Sequence, residues 1–179
     1  AQFRSVGLQE VRLQEVEGGD AKGANVLGVL RGPGTEVLVL CAHHDTAQDS
    51  PGAYGSGGGV GLLIESARAL ARGGERPRTL VFVSLDGREP LLGGRGGLGA
   101  RAYVQSLGRQ AQDVVGVLVV DRAGRKGLPT ALETPAYPDP LRPGGVVVAP
   151  EGLVRAAVLG GSLAGVRVVR SFALEEAET

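Results

Sequence analysis

Hydrophobic positions along the chain follow two rhythms. Glu36–Ala42, Thr79–Leu85 and Val114–Val120 are almost continuously apolar, each about one strand long. Val- and Leu-rich runs of this kind predict strands buried on both faces. Ser5–Val16 and Asn25–Arg31 mix apolar and polar residues, with Gly18, Gly19 and Gly23 between them. They predict two half-exposed strands paired antiparallel. Elsewhere the period is helical. Val60, Leu63, Ile64, Ala67, Leu70 and Ala71 predict a helix over Gly59–Arg72, stopped by Gly73 and Gly74. A shorter helix is predicted over Leu98–Leu107, ending near Gly108, and Pro150 is placed to open another over Glu151–Leu159. Val166–Ser171 is a last strand candidate. Arg122–Gly145 holds five prolines and predicts a long surface excursion. Leu174–Thr179 predicts an acidic, frayed tail.

Buried strands alternating with helices predict an α/β fold, a three-layer sandwich around a mixed, mostly parallel sheet. At 179 residues, with glycine clusters short enough to be turns, the whole chain 1–179 is expected to form a single domain. Trp and Met are absent and aromatics are 3%, so the core must be aliphatic. The formal net charge is zero, without a basic stripe or polybasic tract, and no apolar run approaches the length of a transmembrane helix. No nucleic-acid partner and no membrane insertion are therefore expected, while the compartment is left open. Cys41 is the only cysteine, which excludes an internal disulfide and a thiolate metal cluster.

In open α/β sheets, ligands bind beyond the carboxyl ends of the parallel strands. The first buried strand runs into His43, His44 and Asp45, the second into Asp86, Arg88 and Glu89, and the third into Asp121. If the strands are neighbours, these groups converge on one rim. A histidine and carboxylate set without thiolate suits zinc or a harder divalent ion. The glycine-rich loop Gly55–Gly59 before a helix offers backbone N–H groups to an anion, but lacks the Gly-Lys-Ser/Thr ending of a phosphate loop.

Several stretches, in order, resemble the co-catalytic dizinc exopeptidases, the family that includes bacterial aminopeptidases, glutaminyl cyclases and the non-catalytic transferrin receptor ectodomain. "NVLGVLRG" (Asn25 to Gly32) resembles the strand before the family's site, and "VLCAHHD" (Val39 to Asp45) its His-x-Asp signature. "SPGAYGSGGGVGLLIESARALA" (Ser50 to Ala71) resembles its PGA(N/D)DNASG loop and helix. "LVFVSLDGREP" (Leu80 to Pro90) resembles the strand ending in a Glu-Glu pair, "LGARAYV" (Leu98 to Val104) the next helix, and "VVDRAG" (Val119 to Gly124) its N-L-D-M-x-G.

The resemblance implies a degenerate site. His43 matches the first zinc ligand, and Asp45 the carboxylate that orients it. Glu89 matches a ligand of the second zinc, and Asp121 the terminal carboxylate of the first. Gly55 stands where the family has the aspartate bridging both metals, and Arg88 where it has the glutamate general base. No histidine follows His44 to supply the family's last ligand, and the chain is expected to lack that C-terminal segment. Two dications close together repel unless a carboxylate bridges them, and a zinc site wants three or four protein ligands. No bound metal is therefore expected, zinc being the cofactor only if the site is completed in some other way. His44, one residue along an extended chain, should point away from His43. Arg88 should neutralise Glu89, Asp121 or Asp45, with a loss of a few kcal/mol on its removal. A catalytically inactive domain with a structural or protein-binding role in a larger assembly is the leading expectation. The alternatives are an active hydrolase with a rearranged or externally completed site, and a small-anion binder.

Overall fold

The structure is a computed structural model that describes residues 1–18, 21–90, 96–123, 130–133, 137–138, 146–147, 151–164 and 168–171. These fall into two units, Ala1–Arg125 and Lys126–Thr179.

In the first unit, the apolar run Thr79–Leu85 becomes the central strand. β4 (Thr79–Leu85) lies in the middle of a five-stranded sheet ordered β1-β2-β4-β3-β5. β1 (Gln9–Gly18) and β2 (Ala21–Leu30) form an antiparallel ribbon, and β2 joins β4 antiparallel. β3 (Val37–His43) is parallel to both β4 and β5 (Val114–Val119). The sheet is thus mixed, with its parallel part formed by the three continuous apolar runs.

Alternation along the strands divides the core. On one face Leu30, Ala42, Leu80 and Phe82 pack with Phe3, Val6 and Leu8, and with Leu63 and Ala67 of helix α2 (Gly58–Arg72). Phe3 belongs to a single helical turn, α1 (Gln2–Ser5), and the strand after it starts at Gln9 rather than at the expected Ser5. On the other face Leu27, Val39, Cys41 and Val83 pack with Tyr103 of α3 (Leu98–Leu107). Helices on both faces of a mixed sheet make the expected three-layer α/β arrangement.

One expectation needs correction. Val114–Val120 is not buried on both faces: Val115, Val117 and Val119 are 41%, 51% and 69% exposed. β5 pairs with β3 on one side and is the last strand of this sheet. An apolar run reports strand propensity, whereas burial depends on what covers the strand.

Burial pushes the Cys41 thiol up from 9.0 to about 11. Between those values the folded chain keeps a proton that the unfolded chain has lost. The resulting stability is therefore full below pH 9.0 and declines as pH rises towards about 11. The expected difference is about 2 kcal/mol. Urea unfolding of the wild type at pH 8 and pH 11, against Cys41→Ala, measures it as the part of the pH dependence that the variant loses.

In the second unit, β6 (Thr130–Glu133) pairs parallel with β9 (Val168–Ser171), and β7 (Tyr137–Pro138) pairs antiparallel with β8 (Val146–Val147). Helix α4 runs Glu151–Leu163, four residues beyond its expected end, with Val154 buried. β6 and β7 lie inside the stretch read as a surface excursion, so that reading is too simple. The acidic tail Leu174–Thr179 lies outside the described residues. Among the described residues, no helix is long and apolar enough to cross a membrane.

Candidate metal-site remnant at the strand ends

Parallel pairing in register brings the strand exits to one rim. His43 is opposite Leu85, and Cys41 is opposite Val119. Two further backbone bonds fix the exits: His44 N–H donates to Leu85 C=O at 2.8 Å, and Val120 N–H donates to Cys41 C=O at 2.8 Å. His43, Asp45, Arg88, Glu89 and Asp121, all singled out in the sequence, line one pocket of about 140 Å³.

The loop after β4, which carries Arg88 and Glu89, is held from behind. The N–H groups of Gly97, Leu98 and Gly99 donate to the carbonyls of Arg88, Gly87 and Asp86 at 3.1, 2.8 and 3.0 Å. The free donors at the start of α3 are thus satisfied by the loop itself. Gly99 is required there, because a Cβ would overlap the Asp86 carbonyl and the Asn25 side chain. Asp86 completes the anchor, its Oδ1 accepting from Gly87 N–H at 2.8 Å and its Oδ2 from Ala24 N–H at 2.9 Å.

His43 is 5% exposed. Its Nδ1 donates to the Asp45 backbone carbonyl at 3.0 Å, with the Asp45 carboxylate farther, at 3.4 Å. A carbonyl can only accept, so Nδ1 carries a proton. Its Nε2 lies 3.5 Å from Asp121 Oδ1 and makes no hydrogen bond. Asp45 Oδ1 is likewise buried without a hydrogen bond, while Oδ2 accepts from Glu89 N–H at 2.7 Å.

Arg88 spans two carboxylates. Nη1 donates to Glu89 Oε1 and Nη2 to Asp121 Oδ2, each at 2.9 Å. The planar fork suits this double grip. Its side chain is 45% exposed, so each contact is worth less than in a dry interior. Across the pocket, Gly55 has nothing within 4 Å of the place a Cβ would take. There is room for a side chain, and none is present.

His44 does not join the pocket lining. Its Nδ1 lies 2.9 Å from Ser84 Oγ, and its Nε2 lies 3.6 Å from Asp86 Oδ2. Alternation after β3 turns it away, as the sequence implied. The pocket also takes in Thr46, Ser50, Ser56 and Arg122, which the sequence reading passed over. Arg122 sits at φ 48°, where few non-glycine residues go, and its N–H donates to Gly55 C=O at 3.4 Å. Only its place beside Asp121 could have drawn notice.

A pair of zinc ions does not fit these residues. The carboxylates Glu89 and Asp121 are both held by Arg88, Gly55 offers no bridge, and His43 is the only imidazole at the pocket. Among the described residues, no three His, Cys, Asp or Glu side chains converge to hold a metal ion.

Solved structures share the fold. Glutaminyl cyclase from Porphyromonas gingivalis matches with a TM-score of 0.72 and 21% identity over 98% of this chain and 64% of its own. A leucine aminopeptidase precursor from Bacteroides thetaiotaomicron gives 0.71 and 16% over 98% and 66%. A Zn-dependent exopeptidase from Parabacteroides distasonis gives 0.60 and 19% over 74% and 53%. The chain thus spans no more than about two thirds of these proteins. No curated protein sequence matches it. The sequence profile of Peptidase family M28 matches residues 25–142, which include every residue of the pocket, and the chain belongs to that family.

Proposed function

We propose that this is a catalytically inactive M28 domain with a structural or protein-binding role. The observation that carries the reading is the Arg88 guanidinium held by Glu89 and Asp121, at the place that the motif resemblance assigns to the family's general base. A guanidinium stays protonated at any accessible pH and cannot take a proton from water. A positioned general base typically contributes 10²–10⁴-fold to rate, so its loss alone is severe. Gly55 removes the bridge between metals as well. The exposed valines of β5 support a binding role, since apolar side chains along the last strand of a sheet suit contact with another surface.

A second reading keeps one supporting observation. His43 Nε2 is buried, unpartnered and aimed at Asp121 Oδ1, an arrangement that a metal ion would satisfy. It supports an active hydrolase whose remaining ligands come from elsewhere. The anion-binding reading is weaker. A Cβ on Gly58 would overlap the Ala123 carbonyl, and one on Gly59 would lie 2.9 Å from Val120 O, so carbonyl oxygens already crowd the start of α2.

Elemental analysis and hydrolysis of amino-acid p-nitroanilides by the purified chain separate the first two. We expect substoichiometric zinc and no release above the buffer blank, with or without added zinc. Stoichiometric zinc together with turnover would replace this reading by the hydrolase.

A further inference from the structure

We propose that Arg88 is a tethered counter-cation, which makes this rim independent of divalent metal, and that the bare backbone at Gly55 is its companion change. Asp45, Glu89 and Asp121 bring three carboxylates to the lining of one pocket, and Arg88 sets a positive charge directly against two of them, Glu89 and Asp121. A metal ion supplies that charge by mass action. A guanidinium supplies it covalently, at no dependence on metal concentration.

The geometry gives Arg88 a second task. It leaves the chain just after β4, whereas Asp121 lies just after β5, and β3 runs between those strands. The fork therefore ties two exits across the end of β3, where His43 sits. In doing so it engages Asp121 through Oδ2, leaving Oδ1 beside His43 Nε2 at 3.5 Å. A cation entering between His43 and Asp121 would meet this guanidinium's charge at once. Gly55 fits the same account. A carboxylate there would bring a fourth negative charge to a pocket whose positive charge is now fixed, while the space for it has stayed open.

The inference shares the Arg88 geometry with the proposed function but is tested apart from it. Peptide hydrolysis tests that reading, whereas metal-dependent stability tests this one. Three full-length proteins suffice: the wild type, Arg88→Gln and the double variant Gly55→Asp/Arg88→Glu. Each is melted in chelator and in micromolar zinc, and bound zinc is measured after dialysis. The wild type should melt at one midpoint in both buffers. Arg88→Gln should melt about 3–6 °C lower in chelator. The double variant should melt lower still in chelator, recover by about 5 °C or more in zinc, and retain the metal through dialysis. Zinc dependence is the readout that a purely structural role for Arg88 would not create. An Arg88→Gln midpoint equal to that of the wild type would overturn the proposal. So would a wild type that zinc stabilises as much as it does the double variant, or a folded double variant that takes up no zinc. Arg88→Gln keeps the test decisive if the double variant yields no folded protein.

Discussion

Phe82→Ala should lower the unfolding free energy by about 3–5 kcal/mol, the usual range for emptying a buried aromatic site. Phe82 is completely buried on the central strand, opposite Gly28 of β2 and Leu40 of β3. With Phe3, Leu8, Leu63 and Ala67 it fills the layer between the sheet and α2. The chain has only 3 Phe and no Trp, so few side chains of this size are available to the core. Gly28 adds to the sensitivity. A Cβ there would crowd Leu8 and Phe3, so the ring beside it has a neighbour that cannot expand to fill a void. Collapse would have to come from α1, a single turn, or from α2, which spans 15 residues and moves only as a body. Urea unfolding followed by far-UV circular dichroism measures the loss, and Phe82→Leu, which keeps most of the volume, should lose about 1 kcal/mol. A loss below 1 kcal/mol for the alanine variant would mean that the α2 face is not packed as described.

The strands and helices of the first unit were legible because their apolar runs end at strong punctuation. Thr79–Leu85 stops at Asp86-Gly87, and Leu98–Leu107 lies between Gly97 and Gly108, both of which take positive φ. The entry to α2 was harder. It begins with a π-helical turn, Ala53–Gly57, after Gly52 at φ 69°, and no hydrophobic period encodes such a turn. The pocket was legible as a list of acidic and imidazole groups at three strand ends, because parallel strands in register must deliver their exits to one side. Hydrogen-bond detail was not. The sequence suggested that the Asp45 carboxylate would orient His43. Instead the nearer acceptor is the Asp45 backbone carbonyl, and the carboxylate takes the Glu89 N–H. The same residue thus reaches two partners, and only three-dimensional placement decides which group meets which. The half-exposed setting of Arg88 also revises its expected worth. With 45% of the side chain in solvent, screening reduces the effect of its removal from a few kcal/mol to about 1–2 kcal/mol.

Asn25→Leu should destabilise the chain by about 2–4 kcal/mol, although it replaces a polar residue by an apolar one of similar size. Asn25 is wholly buried, and its amide is used at both ends. Nδ2 donates to Gln14 Oε1 and to Gly99 C=O, each at 2.9 Å, and Oδ1 accepts from Asp86 N–H at 2.9 Å. One side chain on β2 thereby joins β1, the start of α3 and the exit of β4. Leucine would leave the Asp86 N–H without its partner in a closed space and take a donor away from the Gly99 C=O of α3, and each such group costs roughly 1–3 kcal/mol when it is buried unpaired. The sequence drew no attention to Asn25 beyond its place at the start of a strand, because one polar residue in a half-exposed strand is unremarkable until its burial is known. Its importance reaches the pocket. The exit of β4 carries Arg88 and Glu89 two and three residues beyond Asp86, so loosening Asp86 loosens the fork that grips Asp121. Hydrogen exchange separates this local effect from a general loss of stability. In Asn25→Leu the amides of Asp86 and Glu89 should lose protection by more than those of Val81 and Val83 at the centre of β4. Asn25→Asp should not rescue them, since a carboxylate can accept from Asp86 N–H but cannot donate to Gly99 or Gln14. Uniform loss of protection along β4 would show instead that Asn25 contributes to global stability alone and does not position the strand exit.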